Sequence, residues 1–156
     1  PQRQGEHGII VAGLTNCLVK FSKCCSPVPG DDIVGFITRG YGVSVHRADC
    51  PNVLRSRDNP AEAGRWIRVS WADKTSEEYH TMLQVVAKDR ISLIVDVSTV
   101  LSATKTRVLS LNARSTPDGF ALLDLGISVS GRDQLKTVTS RLEQIQGVMK
   151  VTRPAG

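Results

Sequence analysis

The order of apolar patterns in the second half of the chain restricts its fold more than any other feature. Apolar residues alternate with polar ones where a strand is expected, and they recur every three or four residues where a helix is expected. The segment TPDG (residues 116–119) predicts a turn, because proline fixes φ and glycine tolerates a positive one. In chain order the patterns predict a strand at residues 79–89, a helix at 91–105, strands at 107–115 and 120–130, a helix at 130–147 and a strand at 148–153.

This β-α-β-β-α-β order is typical of the ferredoxin-like split βαβ fold. The first helix is apolar on more than one side, which predicts that it is well buried. At the start of the second helix, Ser130 and Asp133 resemble a capping box, and Gly147 follows its end. The second helix also carries one apolar stripe, formed by Leu135, Val138, Leu142 and Ile145.

The first half of the chain has shorter elements, and the polar stretch ADKTSEE (residues 72–78) separates it from the second half as a linker. Pro51 suits the first position of a short helix, with Asp49 or Cys50 at its cap. The other patterns predict a strand at residues 16–22, a hairpin at 33–46 and one last strand at 65–71. We therefore expect an α+β chain, with a small β-sheet-plus-helix domain before the ferredoxin-like βαββαβ domain.

Composition limits the class of protein. Hydrophobic residues make up 40% of the 156 residues and aromatic residues only 4%, which predicts an aliphatic core. No run approaches the roughly 20 apolar residues of a membrane span, and the N-terminus has neither a signal-peptide core nor an initiator methionine. We expect a processed chain or an excised fragment that works in the cytoplasm. The net charge of +5 is compatible with a polyanionic partner.

Three of the four cysteines lie in two short segments, KCCSPVPGDD and SVHRADC, and the second segment also holds a histidine. Without an export signal, such a group indicates metal binding or catalysis before a disulfide. Neighbouring side chains of an extended backbone point to opposite faces, so both adjacent cysteines reach one metal only through a turn. On the residues alone, a zinc site, a reduced metal-free cluster, a disulfide and a nucleophilic thiolate all remain open. The four candidate ligands are Cys24, Cys25, His46 and Cys50.

Arginines and a tyrosine of the first half form a candidate RNA-binding patch. RNA loops are held by arginines and stacked rings, and separate solvated side chains are the alternative interpretation. Neither a GxxxxGK[ST] loop nor a GxGxxG turn that opens a helix occurs, so no phosphate cradle is predicted. The candidate RNA contacts are Arg39, Tyr41, Arg47, Arg55 and Arg57.

Two blocks of sequence indicate a particular protein family. CCSPVPGDDIVGF (residues 24–36) and GVSVHRADCPN (residues 42–52) closely resemble the C-terminal regulatory half of long RelA/SpoT homologues, the (p)ppGpp synthetase/hydrolases. The resemblance continues through the second half of the chain. It implies a ribosome-intersubunit, or conserved-cysteine, domain at residues 8–73 and an ACT domain at residues 78–153.

The resemblance implies function for the first domain. The three cysteines and the histidine fall on the family's characteristic positions, which makes zinc a candidate cofactor. This domain is expected to lie against ribosomal RNA and near the deacylated tRNA of the A site, with the arginines as RNA contacts. The family's catalytic domains lie N-terminal to this region, and neither the hydrolase His-Asp pattern nor a synthetase nucleotide pocket occurs in these residues. The chain is therefore expected to be catalytically silent and to act on the catalytic domains of a parent GTP pyrophosphokinase.

The resemblance also implies an amino-acid site in the second domain. ACT domains commonly bind an amino acid at the turn before the first helix, where free N–H groups meet a carboxylate. The usual Asp-Arg-x-Gly-Leu pattern is present except that Ser92 replaces the glycine. We expect a branched-chain amino acid in a pocket lined by Ile91, Leu93 and Leu111, with its ammonium at Asp89 or Asn112. The expected ligand-binding residues are Asp89, Arg90, Ile91, Ser92, Leu93 and Asn112.

Three hypotheses about function compete. The first is a regulatory module that binds RNA and senses an amino acid. The second is a thiol or metal enzyme built on Cys25 and His46. The third is a module that only dimerises through its ACT domain, because ACT domains pair through sheets or helices. The specificity of the resemblance favours the first.

Overall fold

The computed structural model describes residues 8–11, 18–40, 42–72 and 78–154, and the chain divides into two compact units between residues 77 and 78. None of the helices described is both long and apolar enough to span a membrane. The elements of the first unit are β1 (Ile9–Val11), β2 (Leu18–Phe21), β3 (Ile33–Ile37), β4 (Gly42–Arg47), α1 (Pro51–Arg57), a 3₁₀ turn (Ala63–Arg65), β5 (Trp66–Ile67) and β6 (Val69–Trp71).

The first unit is built on a four-stranded sheet in the order β2-β4-β3-β5. The predicted hairpin is confirmed: β3 and β4 pair antiparallel, and the Thr38 N–H donates to the Gly42 carbonyl at 2.9 Å across the turn. Strands β2 and β4 run parallel, while β1 and β6 form a separate antiparallel pair. The predicted proline at the first position of α1 is also confirmed, with Cys50 as the N-cap.

The prediction of a single strand at residues 65–71 is wrong. Trp66 and Ile67 pair with β3, whereas Val69 and the next two residues pair with β1, so Arg68 lies between two strands. Ile67 and Val69 nevertheless belong to the same apolar cluster. Alternation of polar and apolar residues predicts a strand with one face on the core. It does not predict which neighbouring strand the backbone pairs with.

The core of the first unit is aliphatic, as the composition predicts. Its buried members come from four strands and contact two rings, Phe21 and Trp71, which stack at 5.7 Å between centroids. The buried members are Ile9, Val11, Val19, Val43, Val45 and Val69. Gly35 of β3 has no side chain, and Val43 and Val69 occupy the space that one would need.

The second unit has the predicted βαββαβ order and is confirmed as α+β. Its strands form one fully antiparallel sheet in the order β10-β7-β9-β8, so β8 lies at an edge. Gly119 has a φ of +89° in the predicted TPDG turn between β8 and β9. The elements are β7 (Tyr79–Lys88), α2 (Leu93–Ala103), β8 (Arg107–Ser115), β9 (Phe120–Val129), α3 (Arg132–Glu143) and β10 (Val148–Thr152).

Helix α2 is not buried on more than one side, contrary to the prediction. Only its stripe of Leu93, Val97 and Leu101 is buried, while Ile94 is 47% and Val95 is 63% exposed. All nine residues of the neighbouring edge strand β8 are exposed as well. Ile94 and Val95, which the pattern assigned to a core, therefore lie on the surface of the single chain.

The apolar stripe of α3 is confirmed, since Leu135, Val138 and Leu142 are buried. The predicted capping box of Ser130 with Asp133 is wrong. The helix begins at Arg132, which makes Gln134 the third helical residue, and its amide oxygen accepts a hydrogen bond from the Ser130 N–H at 2.9 Å.

Gly35→Ala should destabilise the first unit by about 1–3 kcal/mol, because a buried methyl group would overpack the core. A Cβ there would lie 2.8 Å from Cγ1 of both Val43 and Val69. Urea unfolding followed by tryptophan fluorescence measures this, since Trp66 and Trp71 both belong to the first unit. The control is Gly40→Ala, where a Cβ meets nothing within 4 Å. Equal stability of the two variants would contradict the prediction.

Candidate functional site

The adjacent cysteines lie on a turn rather than on extended backbone. Residues 23–25 turn directly after β2, and the Ser26 N–H donates to the Ser22 carbonyl at 2.9 Å. Ser26 itself has a positive φ of 45°. On extended backbone, Cys24 and Cys25 would point to opposite faces and could not bind one metal. Consecutive side chains of a helical turn do not point in opposite directions, so both cysteines can reach one metal here.

The other two candidate ligands come from β4 and from the start of α1. His46 lies near the end of β4, and Cys50 is the N-cap of α1. The Cys50 N–H donates to the Arg47 carbonyl at 3.0 Å, and this turn connects the strand to the helix. Three separate pieces of backbone therefore meet at one point.

The structure brings the four predicted ligands into one cluster, whose donor atoms all lie within 4.8 Å of one another. Cys24 Sγ lies 3.8 Å from Cys25 Sγ and 3.5 Å from Cys50 Sγ. His46 Nδ1 lies 3.5 Å from Cys24 Sγ and 3.8 Å from Cys25 Sγ. The arrangement can hold a metal ion.

Burial sets the protonation of the cluster. It raises the pKa of the Cys25 thiol to about 12, although the Arg47 backbone N–H donates to this sulfur at 3.3 Å. Burial also lowers the pKa of the His46 imidazole, so the ring is neutral at pH 7. At Cys24 burial acts to raise the pKa, but hydrogen bonds, first that with Ser22, outweigh it and the pKa is lowered.

Three neighbours of the cluster were missed by sequence reasoning. Ser22 Oγ lies 2.9 Å from Cys24 Sγ, and Ser44 Oγ lies 3.4 Å from His46 Nε2, the ring nitrogen that faces away from the sulfurs. The Trp66 ring packs edge-on to His46 at 5.6 Å between centroids. Ser44 was detectable, because residues two apart in a strand share a face, whereas nothing in the sequence linked Trp66 to His46.

The predicted RNA-binding arginines differ in their exposure to solvent. Arg39 is exposed in the β3–β4 turn, and Arg55 and Arg57 are exposed in the last turn of α1. Arg47 is only 8% exposed, and its Nε lies 3.2 Å from Asp49 Oδ1. Tyr41 lies outside the described residues.

In the second unit, Asp89 and Arg90 have partners of their own. The Ser115 hydroxyl donates to Asp89 Oδ2 at 2.7 Å. Arg90 Nη2 donates to Asp96 Oδ2 at 2.7 Å, and its Nε donates to the Gln146 carbonyl at 3.0 Å. Arg90 thus ties the start of α2 to the loop before β10.

The turn before α2 does not form the predicted apolar pocket in the single chain. Ile91 is 93% exposed while Leu93 is 3% exposed, so the two side chains do not line one space. Ser92 has a φ of +71°, a left-handed conformation that favours glycine. This backbone conformation explains why the Asp-Arg-x-Gly-Leu pattern has a glycine at this position. Asn112 is exposed on β8, opposite Asp124 of β9.

Comparison with known proteins agrees with the two-unit structure. The family model of the RelA/SpoT RIS domain matches residues 9–72, and that of the ACT domain matches residues 75–153. A solved ACT domain from GTP pyrophosphokinase of Chlorobium tepidum is 25% identical, with a TM-score of 0.45, over 49% of this chain and 99% of that one.

Two curated relatives match nearly the whole chain. A GTP pyrophosphokinase of Escherichia coli (strain K12) is 37% identical over 99% of this chain and 21% of the relative. The bifunctional (p)ppGpp synthase/hydrolase RelA of Mycobacterium tuberculosis is 36% identical over 98% of this chain and 20% of the relative. The chain thus spans about a fifth of the length of these relatives. It belongs to the RelA/SpoT family, of which it carries a RIS domain followed by an ACT domain.

Proposed function

We propose that this chain is a cytoplasmic regulatory module of a stringent-response (p)ppGpp synthetase/hydrolase. In this proposal the RIS unit docks on ribosomal RNA and deacylated tRNA, the ACT unit senses an amino acid, and both control the catalytic domains of the parent protein. The observation that carries the proposal is the Cys/His cluster, because it holds the arginine-bearing helix α1 against the sheet. Val53 of α1 is buried against Cys25 and Cys50 of the cluster.

Zinc is the metal that the donor set fits. In a tetrahedral site with Zn–S of about 2.3 Å and Zn–N of about 2.0–2.1 Å, ligand sulfurs lie about 3.8 Å apart and sulfur and nitrogen about 3.5 Å apart. Two of the three sulfur–sulfur separations are 3.8 and 3.5 Å, and two of the three sulfur–nitrogen separations are 3.5 and 3.8 Å. No pair of donor atoms in the cluster is more than 4.8 Å apart. Bound zinc would supply a structural cross-link between the turn, β4 and α1.

A catalytic role for the cluster is less well supported. Structural zinc sites use four protein ligands, whereas catalytic ones keep a position open for water or substrate. A nucleophilic thiol needs a lowered pKa, but burial raises the pKa of Cys25 to about 12. These two arguments favour the regulatory module over a thiol or metal enzyme.

RNA docking is supported by the charges that the first unit exposes. Arg55 and Arg57 project from the last turn of α1, where cations also complement the helix dipole. The cluster fixes Cys50, the N-cap of this helix, which reduces the conformational entropy that RNA binding would cost. The buried Arg47 belongs to the turn between β4 and α1, where its carbonyl accepts the Cys50 N–H, rather than to the exposed surface.

Amino-acid sensing is supported by the start of α2. The first N–H groups of a helix have no partner within the helix and attract a carboxylate. Asp89 precedes them as an exposed carboxylate that can receive an ammonium group. Because Ile91 is 93% exposed, a second copy of the chain would have to complete the apolar part of the site.

An ACT-mediated dimerisation module without a small-molecule ligand is the alternative, and one observation favours it. The edge strand β8 exposes Val108, Leu109 and Leu111 by 42%, 42% and 38%, and Val95 of α2 is 63% exposed. Two β8 strands paired antiparallel would hydrogen-bond their free edges and cover these side chains.

Zinc affinity should rise at least about tenfold between pH 7 and pH 8, because the Cys25 thiol must lose one proton to bind the metal. Its pKa of about 12 keeps it protonated throughout this range in the metal-free chain. The neutral His46 releases no proton above its lowered pKa. Competition with a chelator of known pH dependence measures the affinity.

The matched control for this experiment is the fourth cysteine. Cys25→Ser and Cys50→Ser should lose stoichiometric zinc, while Cys17→Ser should keep one zinc per chain. An affinity that does not change with pH, or loss of zinc in Cys17→Ser alone, would remove the proposed ligand set.

Changing both Arg55 and Arg57 to Gln should weaken tRNA binding and its salt dependence. Each phosphate contact contributes about 0.7–0.9 to the slope of log K against log salt, so the slope should shrink by between one and two. The control changes Arg132 and Arg141 of α3, which are exposed in the second unit. Fluorescence anisotropy over a series of salt concentrations gives the slope, and equal slopes in both variants would contradict RNA docking through α1.

Titration calorimetry with valine, isoleucine and leucine separates amino-acid sensing from dimerisation alone. Sensing predicts saturable heat that disappears in Asp89→Asn and persists in Asp133→Asn, an exposed carboxylate in the first turn of α3. The alternative predicts no heat from any of the three, together with a dimer in analytical ultracentrifugation.

The dimer itself is tested by Leu111→Lys, because a charged residue would interrupt the exposed β8 surface. We expect this variant to sediment as a monomer, while Leu54→Lys on α1, 54% exposed in the wild type, sediments like the wild type. A wild-type chain that is monomeric at all concentrations would exclude the alternative function.

A further inference from the structure

One row of side chains crosses a face of the four-stranded sheet in the first unit. Pairing places Lys20 of β2 opposite Ser44 of β4, Ser44 opposite Phe36 of β3, and Phe36 opposite Trp66 of β5. Toward His46 this face is covered by the Cys/His cluster, against which Trp66 packs. Toward the other end Leu18 is 64% exposed and Lys20 is also exposed. This row is called the Lys20–Trp66 row below.

Arg65 lies over the Phe36 ring of this row. Its guanidinium carbon is 4.4 Å from the centroid of the Phe36 ring, and its Nε donates to the Ile37 carbonyl at 2.9 Å. The Phe36 ring in turn contacts the Trp66 ring at 4.7 Å between centroids. The ring below and the carbonyl at its edge both restrict the guanidinium, so it is held without a carboxylate partner.

The rest of the guanidinium is available for a ligand. Within the part of the chain that the structure describes, Arg65 makes no salt bridge, and its two terminal nitrogens have no hydrogen-bond partner. An arginine usually meets a carboxylate or phosphate through these two nitrogens. Lys20 supplies a second cation two strands away in the same row, and the row contains no acid.

We propose that Arg65, held over the Phe36 ring and by the Ile37 carbonyl, is a stacking platform for one unpaired nucleotide of an RNA loop. This inference rests on the proposed docking of the RIS unit on RNA, and it names the nucleotide class and the residues that receive it. The outer face of the guanidinium stacks on the base, its terminal nitrogens donate to a phosphate, and Lys20 meets a neighbouring phosphate.

Unpaired RNA fits this geometry better than a duplex does. In a duplex the faces of the bases are already stacked on each other, whereas loop nucleotides expose a face to aromatic rings and guanidinium planes. A guanidinium that is already oriented loses little conformational freedom when a base stacks on it. A lysine at position 65 would keep the charge and lose the plane.

The experiment compares the purified chain with its Arg65→Lys variant on two RNA probes of equal charge, a hairpin with a single-stranded loop and a fully paired duplex. We expect Arg65→Lys to weaken hairpin binding about tenfold, which is the scale of one lost stacking contact, and to change duplex binding by less than about twofold. Arg132→Lys, the same exchange on α3 of the second unit, should change neither. Phe36→Leu should reproduce the loss on the hairpin with the charge intact, and its tryptophan fluorescence shows whether it is folded.

The outcomes separate the inference from the function on which it rests. Equal effects of Arg65→Lys and Arg132→Lys on a chain that binds the hairpin would overturn the platform alone. Equal losses on hairpin and duplex would also overturn it, because a simple phosphate contact would explain them. Binding of polyglutamate in competition with the hairpin would assign the surface to an acidic protein partner instead. A wild-type chain that binds neither RNA would overturn RNA docking itself.

Discussion

The side chains of Cys24, Cys25, His46 and Cys50 converge on one point, and the first unit is organised around that convergence. The sheet of this unit is small, and one of its strands, β5, has only two residues. Its largest buried cluster lies on one face of the sheet, so the opposite face depends on a smaller group of buried residues around the cysteines. Only the buried Val53 is purely apolar in that group, which makes the contacts among the sulfurs and the imidazole central to the position of α1.

The second unit reaches stability in a different way. Its sheet buries one continuous face, with alternate residues of β7 and β9 inside, and two helices cover it. A sheet of four antiparallel strands with such a face needs no cross-link. Polar contacts add to this packing at one end of the unit, where Arg90 donates hydrogen bonds to Asp96 and to the carbonyls of Gln146 and Ile91.

Sequence patterns predicted the features that depend on local chemistry. The hairpin at residues 33–46, Pro51 at the start of α1, the TPDG turn and the apolar stripe of α3 each follow from neighbouring residues, and the structure contains all of them. The grouping of Cys24, Cys25, His46 and Cys50 was also predicted, although spacing alone left the turn at Cys24 unexplained.

The failures concern partners that are distant in the sequence. Nothing in RWIRVSW indicated that its two ends pair with different strands, and nothing in the apolar helix α2 indicated that one side faces outward. Arg47 and Arg65 show the same limit for a site. Both are arginines in the first unit, but the first is buried and the second lies on a ring, and only the fold distinguishes them.

The exposed edge of β8 carries a further consequence for how the chain behaves at high concentration. Free edges with apolar residues can add strands without end, which leads to fibres rather than to closed assemblies. Here Arg107 and Arg114 bracket the apolar stretch, and the register shifts between Val108 and Ser110, which bends the edge. The two charges and the irregular edge oppose the addition of further strands, so the geometry permits one short partner strand and disfavours an extended stack.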